Sequence, residues 1–278
     1  VTEVLVIGAA GKTGRAVTRA LVGRGVRVRA AVRPASTTSP YAAELASPVT
    51  VDLATGLGLH EAMAGVDAVY HLAPNVHPEE VGIAARVVEA AGAADVSRFV
   101  FHSVLHPDDR AMPHHVRKAE AERVIRARLS AATVLRPAAY GQNLLEAALG
   151  GRMAVAYSID VPFTNVDLDD VAEVAALVLT EAGHEGATYE LCGPESLSVR
   201  EQARIASEVL GHSVEAVRIP LEEWTAGPGV GLPEQARHDL LAMFGAYDRD
   251  GLVGTSHELV RLLGRPATTW RTMVERAR

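Results

Sequence analysis

Four apolar residues near the start of the chain, Val4-Leu5-Val6-Ile7, run directly into Gly8-Ala9-Ala10-Gly11-Lys12-Thr13-Gly14. Residues 13–22 then place Ala16, Val17, Ala20 and Leu21 on one helical face, with Arg15 and Arg19 off it. A short, continuous apolar run with β-branched residues reads as a strand buried on both faces of a parallel sheet. Passing from such a strand to a helix through three glycines gives a tight turn, a close backbone approach and a helix start with free N–H groups. Those properties suit a diphosphate. The spacing is G-x-x-G-x-x-G rather than G-x-G-x-x-G, so the flanking strand and helix carry the reading, with Gly8, Ala10, Gly11, Lys12, Thr13 and Gly14 as its contacts.

The same alternation continues downstream. Strands are expected at 26–32, 49–53, 66–72, 99–101 and 132–135, and helices at 59–63, 78–91 and 114–128. This predicts an α/β fold, a doubly wound parallel sheet of the Rossmann type. After about residue 145 the alternation weakens. A helix at 170–180 and a strand at 188–191 follow. Ser198 and Glu201 form a capping box for a helix closed by Gly211, and 214–219 reads as a strand. Asp169 or Asp170 is expected to cap the 170–180 helix. The organisation predicted is a dinucleotide-binding core over 1–145, completed by a strand near 188–192. Residues 146–278 form mainly a small α-rich substrate lobe intertwined with it.

Charge near the turn favours one cofactor. Sites that prefer NAD place an acid about 20 positions beyond the glycines, on the ribose hydroxyls. Here the second strand ends Ala30-Ala31-Val32-Arg33 with no carboxylate. The Arg33 fork suits a 2′-phosphate, and Lys12 adds a second positive charge. NADPH is therefore expected ahead of NADH.

Bulk properties narrow the partners. The formal net charge of 278 residues is -7, which disfavours nucleic acid. The single cysteine allows no intrachain disulfide. No apolar run is long enough to span a bilayer, and the start of the chain lacks the basic and apolar regions of a signal peptide. The expected setting is cytoplasmic, with a small-molecule substrate, no membrane and a homodimer left open. A metal site is not expected: His102 and His106 are four apart, a spacing that aligns ligands only on a helix.

Several segments together resemble the NmrA-like atypical short-chain dehydrogenases. They are the glycine turn, Arg33, Asp52, Ser103-Val104-Leu105-His106-Pro107, Leu135-Arg136-Pro137-Ala138-Ala139-Tyr140 with Asn143, and Leu263-Gly264-Arg265-Pro266. The resemblance covers nearly the whole chain. It implies cofactor contacts from Asp52, Leu53, Leu72, Ala73 and Pro74 at the adenine end, and from Ser103, Lys118, Pro137 and Tyr140. Typical short-chain dehydrogenases pair a serine with Y-x-x-x-K. Ser103 and Lys118 match, but the tyrosine position is His114. The implied catalytic set is Ser103 to orient the polarised oxygen, Lys118 to hold the ribose and His114 to supply a proton. Strand ends converge on a crevice, so His71, Asn75, His106, Tyr140 and Asn143 are expected to contact substrate.

These readings predict an NADPH-dependent oxidoreductase that reduces a small conjugated, quinone-like or carbonyl compound by hydride transfer. The alternative is a non-catalytic NADP(H) redox sensor that binds a partner protein, since the branch contains both.

Overall fold

The computed structural model describes residues 1–33 and 47–278. Its strands are β1 (Glu3–Ile7), β2 (Arg27–Val32), β3 (Ser47–Thr50), β4 (Ala68–His71), β5 (Arg98–His102), β6 (Thr133–Pro137), β7 (Arg152–Val155), β8 (Thr188–Leu191) and β9 (Glu215–Arg218). Seven of them form one parallel sheet in the order β3-β2-β1-β4-β5-β6-β8. The order reverses outward from β1, and the crossovers are helices: α1 (Lys12–Gly23), α2 (Leu59–Met63), α3 (Glu80–Ala93), α4 (Pro113–Arg128) and, before β8, α6 (Leu168–Thr180). This is the doubly wound arrangement, which places ligand-binding loops beyond the carboxyl ends of the strands. The third strand sits earlier than the apolar pattern suggested, at Ser47–Thr50 rather than 49–53. Its ladder with β2 pairs Arg29 with Ser47 and Val32 with Thr50, so the chain has left the sheet before Asp52.

The described residues divide into two compact units. One comprises Val1–Pro107, Arg117–Arg136 and Val171–Tyr189; the other comprises Asp108–Val116, Pro137–Asp170 and Glu190–Arg278. In the first, alternate strand residues point to opposite faces. Leu5, Ile7, Val69, Phe99 and Phe101 share a core with Ile83 and Val87 of α3 and with Ala121 and Ile125 of α4. On the other face Val4, Val6 and Val100 are equally enclosed. Burial on both faces explains the unbroken apolar runs, each such side chain contributing roughly 1.5–3 kcal/mol. Register aligns the strand ends: Ile7 lies opposite His71, and His71 opposite Phe101.

The second unit holds α5 (Gln142–Leu149), α7 (Val199–Leu210), α8 (Leu221–Ala226), α9 (Glu234–Asp250), α10 (His257–Leu263) and α11 (Trp270–Ala277). Its core gathers Leu144, Met153, Val155, Ala206, Trp270 and Met273. The Trp270 indole N–H donates to the Gln202 carbonyl at 2.8 Å. The helices are accompanied by a two-stranded parallel sheet of β7 and β9, so the expected strand at 214–219 pairs with a segment for which the sequence pattern gives no strand. Ser198 and Glu201 make the capping box, and Gly211 closes α7 with φ +74°. The cap of α6 differs from expectation. Asp167 accepts from the Asp169 amide at 2.9 Å, whereas Asp170 accepts from Arg265 at 2.8 Å and from the Thr268 amide at 2.7 Å. Asp170 is therefore a tie to the C-terminal segment, and the residue before the helix does the capping.

Candidate cofactor site and buried polar network

The turn after β1 is shaped by what it lacks. Gly8 has φ +83°, and a Cβ there would stand 2.8 Å from the Leu72 carbonyl oxygen. At Gly14 a Cβ would stand 2.2 Å from the Gly8 carbonyl oxygen and 2.7 Å from the Ala9 Cα. Only glycine allows this close passage of helix against turn. Gly11 is the N-cap of α1, with extended backbone, no side-chain cap and no acidic residue in the first turn. The positive end of a helix dipole thus meets no carboxylate of its own. The Lys12 ammonium stands at this end, and desolvation holds its pKa below the ordinary lysine value. Arg33 follows β2 and is exposed. A diphosphate fits this cradle: a Cβ would fill the space beside it, and the helix start is uncapped.

The loop after β3 is held by its own acid. Asp52 accepts from the amides of Ala54 at 2.9 Å and Thr55 at 3.4 Å. Hydrogen bonds from Thr55 and Ala54 keep its carboxyl below the usual range. Arg86 of α3 donates to the Leu53 carbonyl at 3.0 Å. Leu72 and Pro74 are half-buried, while the Ala73 side chain belongs to the core. Asn75 and His106 are exposed, and His106 has φ +51°.

The residues expected to do chemistry beyond β5 are engaged inward. The Ser103 hydroxyl donates to Glu122 at 2.5 Å, and Glu122 also takes both arms of Arg136, at 3.0 and 2.6 Å. Ser103 is 1% exposed. Lys118 Nζ lies 2.9 Å from Glu80 Oε1, donates to the His102 carbonyl at 3.1 Å and stands 5.1 Å from the centre of the Phe101 ring. Both partners of that ion pair are buried. Tyr70 and His102 share a hydrogen bond of 2.5 Å. Ser103 and Lys118, expected to face a substrate oxygen and a ribose, are the residues that make these internal contacts. To turn elsewhere, the hydroxyl would give up a charge-assisted bond and the ammonium a buried ion pair.

His71, expected to contact substrate, lies within the core. It is fully enclosed, with its ring stacked 5.5 Å from Phe101, and among the described residues neither ring nitrogen has a hydrogen-bond partner. Burial first, and the Lys118 charge second, push both His71 and His102 down to about 3. A histidine is protonated near 6.5 in the unfolded chain. Between about 6.5 and 3 the unfolded state therefore binds more protons, and stability falls as pH is lowered. His71→Phe is expected to flatten this acid branch, because one of the two imidazoles whose pKa burial lowers is gone. Urea midpoints from pH 7 to 4 check it; parallel branches for variant and wild type would contradict the assignment.

In the second unit His114 and His115 are both buried, their rings 6.0 Å apart and edge to face. His114 lies one turn before Lys118 on α4. Pro137 is buried and Tyr140 half-buried, with Tyr140 bridged to Val166. Asn143 is exposed on α5 rather than in a loop, and neighbouring Gln142 donates to Asp167 at 2.6 Å. Sequence reasoning missed Glu80, Glu122 and Arg136. The available signal was placement: Glu122 follows Lys118 by four residues and shares its helix face with Ala121 and Ile125 of the core stripe. An acid there needs a partner.

The NmrA-like family model matches residues 2–267, and the chain belongs to the NmrA-like family. Among its relatives is an NAD(P)H azoreductase of Xenophilus azovorans, 30% identical over 275 residues that cover 96% of this chain and 95% of the other. An NADPH-dependent quinone oxidoreductase from Escherichia coli, solved with NADPH, superposes with a TM-score of 0.83 at 25% identity over 99% of both chains. A Citrobacter sp. triphenylmethane reductase solved with NADP(H) gives 0.83 at 26% identity, over 99% of this chain and 100% of that one.

Proposed function

We propose that this protein is an NADPH-dependent oxidoreductase whose acceptors are conjugated compounds: quinones, and azo or triphenylmethane dyes. The observation that carries the reading is the uncapped start of α1 behind a turn with no room for a Cβ at Gly8 or Gly14. The relatives named as azoreductase, quinone oxidoreductase and triphenylmethane reductase support the class of acceptor. When bound, NADPH supplies the hydride. The amides at the start of α1 hold its diphosphate, Gly8 lets the backbone approach, and Arg33 with Lys12 balance the 2′-phosphate. Glu80 and Glu122 keep Lys118 and Ser103 turned inward, fixing the end of β5. An acceptor that needs a strong positioned acid is poorly served by such a site. A quinone, whose two-electron product is a stabilised phenolate, is well served. Among the described residues no helix is long and apolar enough to cross a membrane.

NADPH oxidation should be followed with menadione, an azo dye, a triphenylmethane dye and a set of simple ketones. Turnover with the first three and none with ketones is the expected result. Tight NADPH binding with silence across the panel would instead support the sensor reading, which the inward commitment of Ser103 and Lys118 also suits.

Two variants sharpen the reading. Arg33→Ala is expected to weaken NADPH by about 10–100-fold, the loss of a charge-assisted contact, while NADH changes by less than about threefold. Equal losses for both cofactors would remove the phosphate-recognition claim. Ser103→Ala is expected to lower stability by about 1–2 kcal/mol through the lost bond to Glu122, with kcat for menadione within about threefold of wild type. A fall in kcat of about 100-fold would return Ser103 to the chemistry.

A further inference from the structure

The glycine turn contains one peptide group whose two ends are both tied. The Ala10 carbonyl accepts from Arg15 Nε at 2.9 Å. The Gly11 amide, the other end of the same planar group, donates to the Gly8 carbonyl at 3.0 Å. Arg15 reaches back from the first turn of α1, and its own amide makes the first bond of the helix, to the Gly11 carbonyl at 2.9 Å. One residue thus builds the start of the helix with its backbone and the preceding loop with its side chain.

The orientation of this group matters for an anion. A carbonyl aimed at a phosphate presents negative to negative, and turning the peptide over would aim Ala10 O away from its cationic donor. In the arrangement seen, that oxygen is held by a guanidinium, and the peptide cannot rotate without breaking both bonds. We propose that Arg15 is a positioning residue for the dinucleotide: it pins the Ala10–Gly11 peptide so that no carbonyl of the turn opposes the diphosphate. The inference rests on the cofactor reading above. It extends that reading to a residue set apart from the apolar face of α1, where sequence pattern alone makes it a solvated cation.

The distinguishing property is that the diphosphate is common to NADPH and NADH. Arg15→Met keeps the side-chain stem and removes the donor. Its dissociation constants for NADPH and NADH, measured by calorimetry, are expected to rise together by roughly tenfold, which is about 1.4 kcal/mol. Their ratio and the kcat at saturating NADPH should stay within about twofold of wild type, a split that general loosening of the fold would not produce. Arg15→Lys keeps the charge without the Nε geometry, and is expected to remain at least about threefold weaker than wild type.

Unchanged affinities in Arg15→Met would overturn the proposal. So would a loss confined to NADPH, which makes Arg15 a reader of the extra phosphate. Full recovery in Arg15→Lys would also overturn it, leaving only a field effect. If wild type itself binds neither dinucleotide, the cofactor reading fails and not this assignment alone.

Discussion

Gly14→Ala is expected to weaken NADPH and NADH binding by more than about 100-fold. The added Cβ would fall 2.2 Å from the Gly8 carbonyl oxygen and 2.7 Å from the Ala9 Cα. Both are backbone atoms, so no side chain can swing aside. The turn or the helix must shift, and overpacking of this kind costs about 1–3 kcal/mol of stability. The same shift moves the amides away from the diphosphate, and misplaced donors lose their preorganisation. Gly23 provides the control. It closes the same helix, and a Cβ there meets nothing within 4 Å. Gly23→Ala should therefore bind cofactor as wild type does. Calorimetric titration of both variants checks the pair. Cofactor binding retained in Gly14→Ala would mean that the turn is not the diphosphate site.

The second large effect concerns stability. Lys118→Met leaves the Glu80 carboxylate buried without its ammonium partner. Breaking a buried pair from one side costs about 3–5 kcal/mol, because the remaining charge is neither solvated nor matched. Replacing both partners by apolar side chains removes the stranded charge. Lys118→Met with Glu80→Leu is therefore expected to recover at least half of the loss, the shortfall coming from the His102 carbonyl, which also loses its donor. Chemical denaturation of the two variants measures this. The NADPH dissociation constant of the double variant separates the two roles of Lys118. A value within about threefold of wild type fits the internal pair, whereas a rise of about tenfold or more would place the ammonium on the cofactor.

Much of the fold is legible in the sequence for a physical reason. Strands buried on both faces need unbroken apolar runs, and Val4 to Ile7 and Phe99 to Phe101 supply them. The turn declares itself because its steric demands admit only glycine at Gly8 and Gly14. The cap of α7 is equally local, with Ser198 and Glu201 satisfying each other within one turn. What escapes detection is non-local. The four residues of β7 are too few to establish a period, and their partner β9 comes later in the chain, after α6, β8 and α7. Glu80, Lys118, Ser103 and Glu122 read individually as charged or polar residues on helices and at a strand end. Apart from the place of Glu122 in the core stripe of α4, nothing in their spacing reveals that folding pairs them away from water. A family pattern assigns Ser103 and Lys118 roles by position, but the carboxylates that engage them, Glu80 of α3 and Glu122 of α4, are not residues of that pattern.

Mixing the purified protein with NADPH and menadione under anaerobic conditions tests the central claim most directly. The account predicts loss of NADPH absorbance in one-to-one proportion with hydroquinone formed, slowed when the transferred hydrogen of NADPH is deuterium. A protein that binds NADPH yet leaves its absorbance unchanged with menadione and with azo and triphenylmethane dyes would contradict it.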